Sequence, residues 1–147
     1  MDKPMDKIWV NDFPENRCFG CSPHNERGLQ LTFLQTGPRA IETRYEAPEH
    51  VCGAPGVIHG GIQAVLLDEA MGMAARVSAD PDGPWFVTAE LELKYRKPAY
   101  VGKPLTVQGE LIRVDGKDHF LEGRIIGPEG EILTTAWSRW RQLRNNT

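Results

Sequence analysis

No apolar run in this chain reaches the roughly 20 residues a helix needs to cross a bilayer. The first ten residues, MDKPMDKIWV, contain no signal-peptide core. These two absences predict a soluble protein of the cytoplasm with no membrane span. Positive charge is not in excess either: 17 Lys and Arg stand against 20 Asp and Glu, a net charge of −3. That balance argues against nucleic-acid binding through an overall basic surface and points to a small ligand. Cysteine is scarce. Three residues, an odd number without a secretory signal, argue against a disulfide framework. Cys18-Phe19-Gly20-Cys21 with His24 resembles half of a metal site that Cys52 or His50 would complete, but no second paired spacing exists. A redox motif is disfavoured because Pro23 follows closely and no strand precedes the pair. Neither a metal nor a cofactor is therefore expected, and the segment is read as a turn-rich stretch that packs on the body.

What is present suits one domain with an ordinary core: 147 residues, 40% hydrophobic and 25% charged. The expectation is a single domain over 1–147, with 1–28 as an N-terminal extension packed on a core of 29–144. The clearest element is the helix in Val57–Ala75, VIHGGIQAVLLDEAMGMAA. Ile62, Val65, Leu66, Ala70, Met73 and Val77 recur at spacings of three and four, giving a wide apolar stripe. Gly61, Ala64, Asp68, Gly72 and Ala75 form a second stripe, of small residues, along which another backbone can come close. The prolines and glycine of Asp80-Pro81-Asp82-Gly83-Pro84 end the helix in a loop.

The rest reads as strands. Leu29 to Leu34 and Ala40 to Glu46 precede the helix; Trp85 to Arg96, Leu105 to Val114, Lys117 to Ile126 and Glu131 to Leu143 follow it. Asp115-Gly116 between alternating runs is a strong hairpin signal. This order predicts an α+β fold, an antiparallel sheet wrapped around one long central helix. In the strand after the helix, Val87, Ala89, Leu91, Leu93 and Tyr95 alternate with Thr88, Glu90, Glu92, Lys94 and Arg96, which puts Thr88 on the polar face.

An acid in an apolar helix needs a reason, and Asp68 follows a helix start at His59-Gly60-Gly61. Two glycines there let a ligand approach N–H groups that have no intrahelical partner and carry the positive end of the helix dipole. A developing negative charge is favoured at such a terminus, and Asp68 can supply a base or nucleophile, so acyl transfer or hydrolysis is the first hypothesis. Eight residues separate Gly60 from Asp68, roughly 12 Å along the axis. One carbonyl cannot meet both within a chain. If both act together, a two-fold dimer with antiparallel helices must set Gly60 of one subunit beside Asp68 of the other. The competing reading makes Asp68 and Glu69 a solvated acidic pair.

The HGG turn, Asp68, the run FVTAELELKYRKPAYVG and the order of elements resemble the hotdog-fold acyl-CoA thioesterases of the phenylacetic-acid-pathway type. The N-terminal CFGCSPHNERGLQL resembles the subgroup containing the human thioesterase superfamily members, and the likeness extends from about Cys18 to Trp140. It implies that the Gly60 N–H holds the thioester oxygen and that Asp68 of the facing subunit attacks the carbonyl or activates water. It further implies that Thr88 positions the water or the acid, and that His59 orders the turn. Some relatives place Asn or Gln before the turn, where this chain has Val51-Cys52-Gly53-Ala54-Pro55. Gly61, Arg96 and Lys97 are candidate substrate contacts, the latter two for coenzyme A phosphates. Met71, Met73, Trp85 and Phe86 lie where an acyl group would enter. The expected partners are an acyl-CoA and further copies of the chain, as a homodimer or a dimer of dimers. Two alternatives stay open: a non-catalytic acyl-CoA binding module and, less favoured, a hydratase or dehydratase on the same fold.

Overall fold

The computed structural model describes residues 7–143. Residues 1–6 of the expected extension and residue 144 of the expected core lie outside them. Seven strands and one long helix follow in the order β1 (Lys7–Trp9), β2 (Phe33–Gly37), β3 (Ala40–Glu46), α1 (Gly60–Ser78), β4 (Phe86–Tyr95), β5 (Pro104–Asp115), β6 (Asp118–Ile126) and β7 (Ile132–Gln142). Every pairing is antiparallel, in the spatial order β1-β2-β3-β5-β6-β7-β4. The expected α+β architecture is what forms. The Asp115-Gly116 hairpin is present too, with Gly116 at φ 61°, a value that favours glycine.

Helix α1 packs against β5 and β6. Leu66, Leu67, Ala70 and Met71 are fully buried, together with Val107, Leu121 and Ile125 of the sheet. Contact is backbone to backbone at Gly109, where an added Cβ would sit 2.5 Å from the Ala70 carbonyl oxygen. The small-residue stripe on the helix serves the same chain at one point: a Cβ at Gly72 would lie 2.5 Å from the Trp140 ring. His59 caps the helix, its Nδ1 accepting the Gly61 N–H at 2.9 Å.

Two expectations about the first third are corrected. The strand expected from Leu29 to Leu34 begins only at Phe33. Gln30 adopts φ 52°, which breaks an extended run, and the N–H groups of Leu29 and Leu31 bond instead to the carbonyls of Phe19 and Gly20. The extension also contributes a strand of its own: β1 pairs with β2, with Ile8 opposite Leu34.

A third correction places the site. β4 pairs with β7 through a register shift between Thr88 and Glu90. One extra residue in a strand moves everything beyond it to the other face. Thr88 therefore shares the helix-facing side with Leu91, Leu93 and Tyr95, while Glu90 turns outward to Arg139, whose Nη2 lies 2.7 Å from its carboxylate. The strict alternation read from the sequence placed Thr88 on the opposite side.

Candidate active site

Asp68 lies in the middle of α1, where helix geometry aims it at the start of β4. Thr88 Oγ1 donates to Asp68 Oδ1 at 2.6 Å. Both line a cavity of about 260 Å³ whose apolar walls include Phe33, Met73, Trp85, Phe86 and Trp140. Burial pushes the Asp68 carboxyl above its ordinary value; the Thr88 hydrogen bond pulls the other way and does not cancel the rise. A carboxylate held this way is a stronger base than a solvated one.

The other end of the site is the start of the helix. The Gly61 N–H is taken by His59. The Gly60 N–H, one position earlier, has no acceptor among the described residues. Tyr95 Oη donates to the Gly60 carbonyl at 2.8 Å, fixing the peptide from the strand side. Gly60, Gly61, His59, Gln63, Tyr95, Arg96 and Lys97 line a second, larger cavity of about 580 Å³. Thus Asp68 and Thr88 share one cavity and His59, Gly60, Gly61, Arg96 and Lys97 share another, with no residue lining both.

Residues 55–133, over half of the chain, match the family described as the thioesterase superfamily. The chain belongs to the thioesterase superfamily. The sheet wrapped around one helix is the hotdog fold of that family. Over 116 residues the chain is 30% identical to a Saccharolobus solfataricus protein provisionally named an esterase, covering 79% of each. It is 26% identical over 103 residues to the acyl-coenzyme A thioesterase THEM4 of Rattus norvegicus, covering 70% of this chain and 43% of that longer protein. A Bacillus halodurans protein crystallised with coenzyme A shares 30% identity and superposes with a TM-score of 0.66, over 72% of this chain and 69% of its own.

In this thioesterase-superfamily chain, Met73, Trp85 and Phe86 line the Asp68 cavity. Met71 does not; it is wholly buried and its sulfur accepts from Ser138 Oγ at 3.1 Å. Arg139 and Arg141 both donate to Asp118 Oδ1, at 2.9 and 2.7 Å. Arg96 and Lys97 are exposed at the rim of the Gly60 cavity, with Arg96 Nε donating to Thr135 Oγ1 at 3.3 Å.

Two groups escaped the sequence. Gln63, 3% exposed, accepts from Thr134 Oγ1 at 2.6 Å and donates to the Ile58 carbonyl, bracing the helix start from beneath. Glu69 is not half of a solvated pair. It falls at the three-four spacing of Ile62, Leu66 and Met73, an interruption of the apolar stripe that could have marked it. Its carboxylate reaches the Cys18 sulfur, at 3.6 and 3.7 Å from its two oxygens. Burial pushes Glu69 up to about 8, while the side-chain hydrogen bond from Cys21 holds Cys18 down to about 5. The other partners considered for the cysteine pair are elsewhere: His24 meets Asp12 at 2.7 Å on the surface, and His50 and Cys52 line a separate cavity.

Proposed function

We propose that this chain is an acyl-CoA thioesterase whose active site is shared between two copies. The observation that carries the reading is the Thr88–Asp68 hydrogen bond at an apolar cavity, with burial raising the basicity of Asp68. A thioester needs little more. Its carbonyl gains negative charge on attack, and a fixed N–H donor at that oxygen contributes roughly 3 to 4 kcal/mol to the transition state. The Gly60 N–H is free for that role, at the positive end of a 19-residue helix. The coenzyme A thiolate leaves readily, which suits a cavity lined by carboxyl groups and, among the described residues, by no Ser–His pair.

In the reaction, Asp68 takes a proton from water as it adds to the carbonyl, or adds to the carbonyl itself to give a mixed anhydride that water then cleaves. Either route consumes one water and yields the free acid and the thiol. Thr88 orients the carboxylate, and His59 and Tyr95 hold the Gly60 peptide in place. The apolar side chains around Asp68 suit the acyl group, and Arg96 and Lys97 suit the coenzyme A phosphates.

The eight residues between Gly60 and Asp68, and their separate cavities, call for a second chain. The edge for it is available. Among the described residues the ten-residue β4 is paired along one edge only, Leu91 and Tyr95 are exposed on it, and Ala64 and Val65 of α1 are half-buried. A long open edge strand flanked by apolar side chains is a surface that pairs with its own copy. Two-fold pairing of β4 with β4 runs the two helices antiparallel and brings Gly60 of each toward Asp68 of the other.

The test is thiol release from short, medium, long and aryl acyl-CoA substrates by the wild type and by Asp68→Asn. Turnover of at least one class, lost in the folded variant, is the expected result. No release above background, together with thermal stabilisation by the same compounds, would make the protein a binding module instead. Labelled water under single turnover tests the routes, since label appearing in the Asp68 carboxylate rules out pure general-base action.

A further inference from the structure

The Cys18–Cys21 turn takes no part in the thioester chemistry, yet it is built against the helix residue next to Asp68. Cys18 Sγ, Cys21 Sγ and a Glu69 carboxylate oxygen all lie within 4.8 Å of one another. The spacing is informative. Around a tetrahedral zinc ion with Zn–S near 2.3 Å and Zn–O near 2.0 Å, a sulfur and an oxygen ligand stand about 3.5 Å apart. Cys18 Sγ is 3.6 Å from the nearer Glu69 oxygen, so an ion would fit between them with almost no movement.

The surroundings hold this arrangement in place. A side chain at Gly20 would collide with the Glu69 carboxylate, so the glycine within the CFGC turn is what lets the acid reach the sulfurs. Cys21 is 2% exposed. The turn is closed by the Ser22 N–H bonding to the Cys18 carbonyl at 3.1 Å and by Asn16 Oδ1 accepting the Cys18 N–H at 3.0 Å. No basic side chain pairs with Glu69 among the described residues. A cation bound by all three groups is what would let this half-buried acid ionise beside two sulfurs.

We propose that Cys18, Cys21 and Glu69 form a binding site for a thiophilic divalent cation of the zinc class. Three protein ligands leave one coordination position free. Cys21 and Glu69 line the same cavity as Asp68 and Thr88, so the site borders that cavity. The ion clamps the N-terminal extension to α1 and sets the wall of the pocket. The sequence argued against a metal because no second paired spacing exists; the third ligand, Glu69, lies 48 residues beyond Cys21 and belongs to no such pair. This proposal does not depend on the thioesterase reading.

Untagged protein, reduced and freed of metal with a chelator, is titrated with cobalt(II) and then with zinc(II). The expected result is one cobalt per chain, with a near-ultraviolet thiolate-to-cobalt band and the strong visible bands of a tetrahedral site, displaced by zinc. Glu69→Gln keeps the side-chain shape and weakens cobalt binding on the order of tenfold or more, with far-ultraviolet circular dichroism unchanged. Cys21→Ser lowers the thiolate band. Reduced, folded wild type that gives no such band and retains no zinc overturns the proposal. So does equal affinity in Glu69→Gln, a result that stands even if the cysteine variant fails to fold.

Discussion

Two variants, each silent alone, test the shared site. Gly60 is the first residue of α1 after the His59 cap, and His59 sits at φ −53° and ψ 135°, a conformation that proline tolerates in the residue before it. Proline is at home at this helix position because its missing N–H has no intrahelical partner to lose. Gly60→Pro thus removes the proposed oxyanion donor and little else; its Cβ would lie 3.3 Å from Tyr95 Oη, which needs a small give. Loss of one such donor lowers kcat by roughly 10²- to 10³-fold. Asp68→Asn removes the base and is expected to lower it by roughly 10²- to 10⁴-fold. A mixed dimer combines Gly60 from the Asp68→Asn chain with Asp68 from the Gly60→Pro chain at one site and has both defects at the other. Random reassociation makes about half of the dimers mixed, so the mixture should recover about one quarter of wild-type activity. The assay is thiol release from the best substrate, with mixed dimers counted by native mass spectrometry. Recovery indistinguishable from zero in a verified mixture refutes the shared site, because residues acting within one chain cannot complement each other.

The same site has a pH signature in protein freed of metal. Burial raises the Asp68 carboxyl above its ordinary 3.8, so the acid limb of kcat/KM should lie above that value. Thr88→Val removes the hydrogen bond that opposes the rise and should move the limb further up; a limb at or below 3.8, or a downward shift in the variant, would contradict Asp68 as the base. Gly72→Ala sets two effects against each other. Alanine gains about 1 kcal/mol in helix propensity, but its Cβ would lie 2.5 Å from Trp140 Cη2. That ring is 5% exposed and tethered through Nε1 to Ser138 Oγ at 2.8 Å, so overpacking should prevail. A net loss of up to about 2 kcal/mol follows from overpacking costs of about 1 to 3 kcal/mol, seen as a lower urea midpoint; an unchanged or higher midpoint would show that the ring yields. Thr134→Val leaves Gln63 Oε1 without its donor in a buried place and should cost about 1 to 3 kcal/mol, measured in the same way.

The sequence by itself determined the long helix, the antiparallel sheet around it and the separation of Gly60 from Asp68. These follow from short-range rules: the three-four recurrence from Ile62 to Val77, the Asp115-Gly116 turn, and a fixed rise per helical residue. That His59 orders the turn came from the family resemblance; the structure shows it as the helix cap, accepting the Gly61 N–H two residues away. The tertiary structure decided the rest. One extra residue in β4, near Ala89, reverses the strand's faces and delivers Thr88 to Asp68. Residue alternation cannot reveal that reversal, because a bulge arises only when β4 is paired with β7. Gln30 likewise leaves the strand pattern because its neighbours bond to Phe19 and Gly20. Glu69 reads as a surface acid until the fold sets Cys18 against it, 51 residues away in the chain. Local periodicity sets which elements form; which of their side chains meet depends on contacts that no periodicity spans.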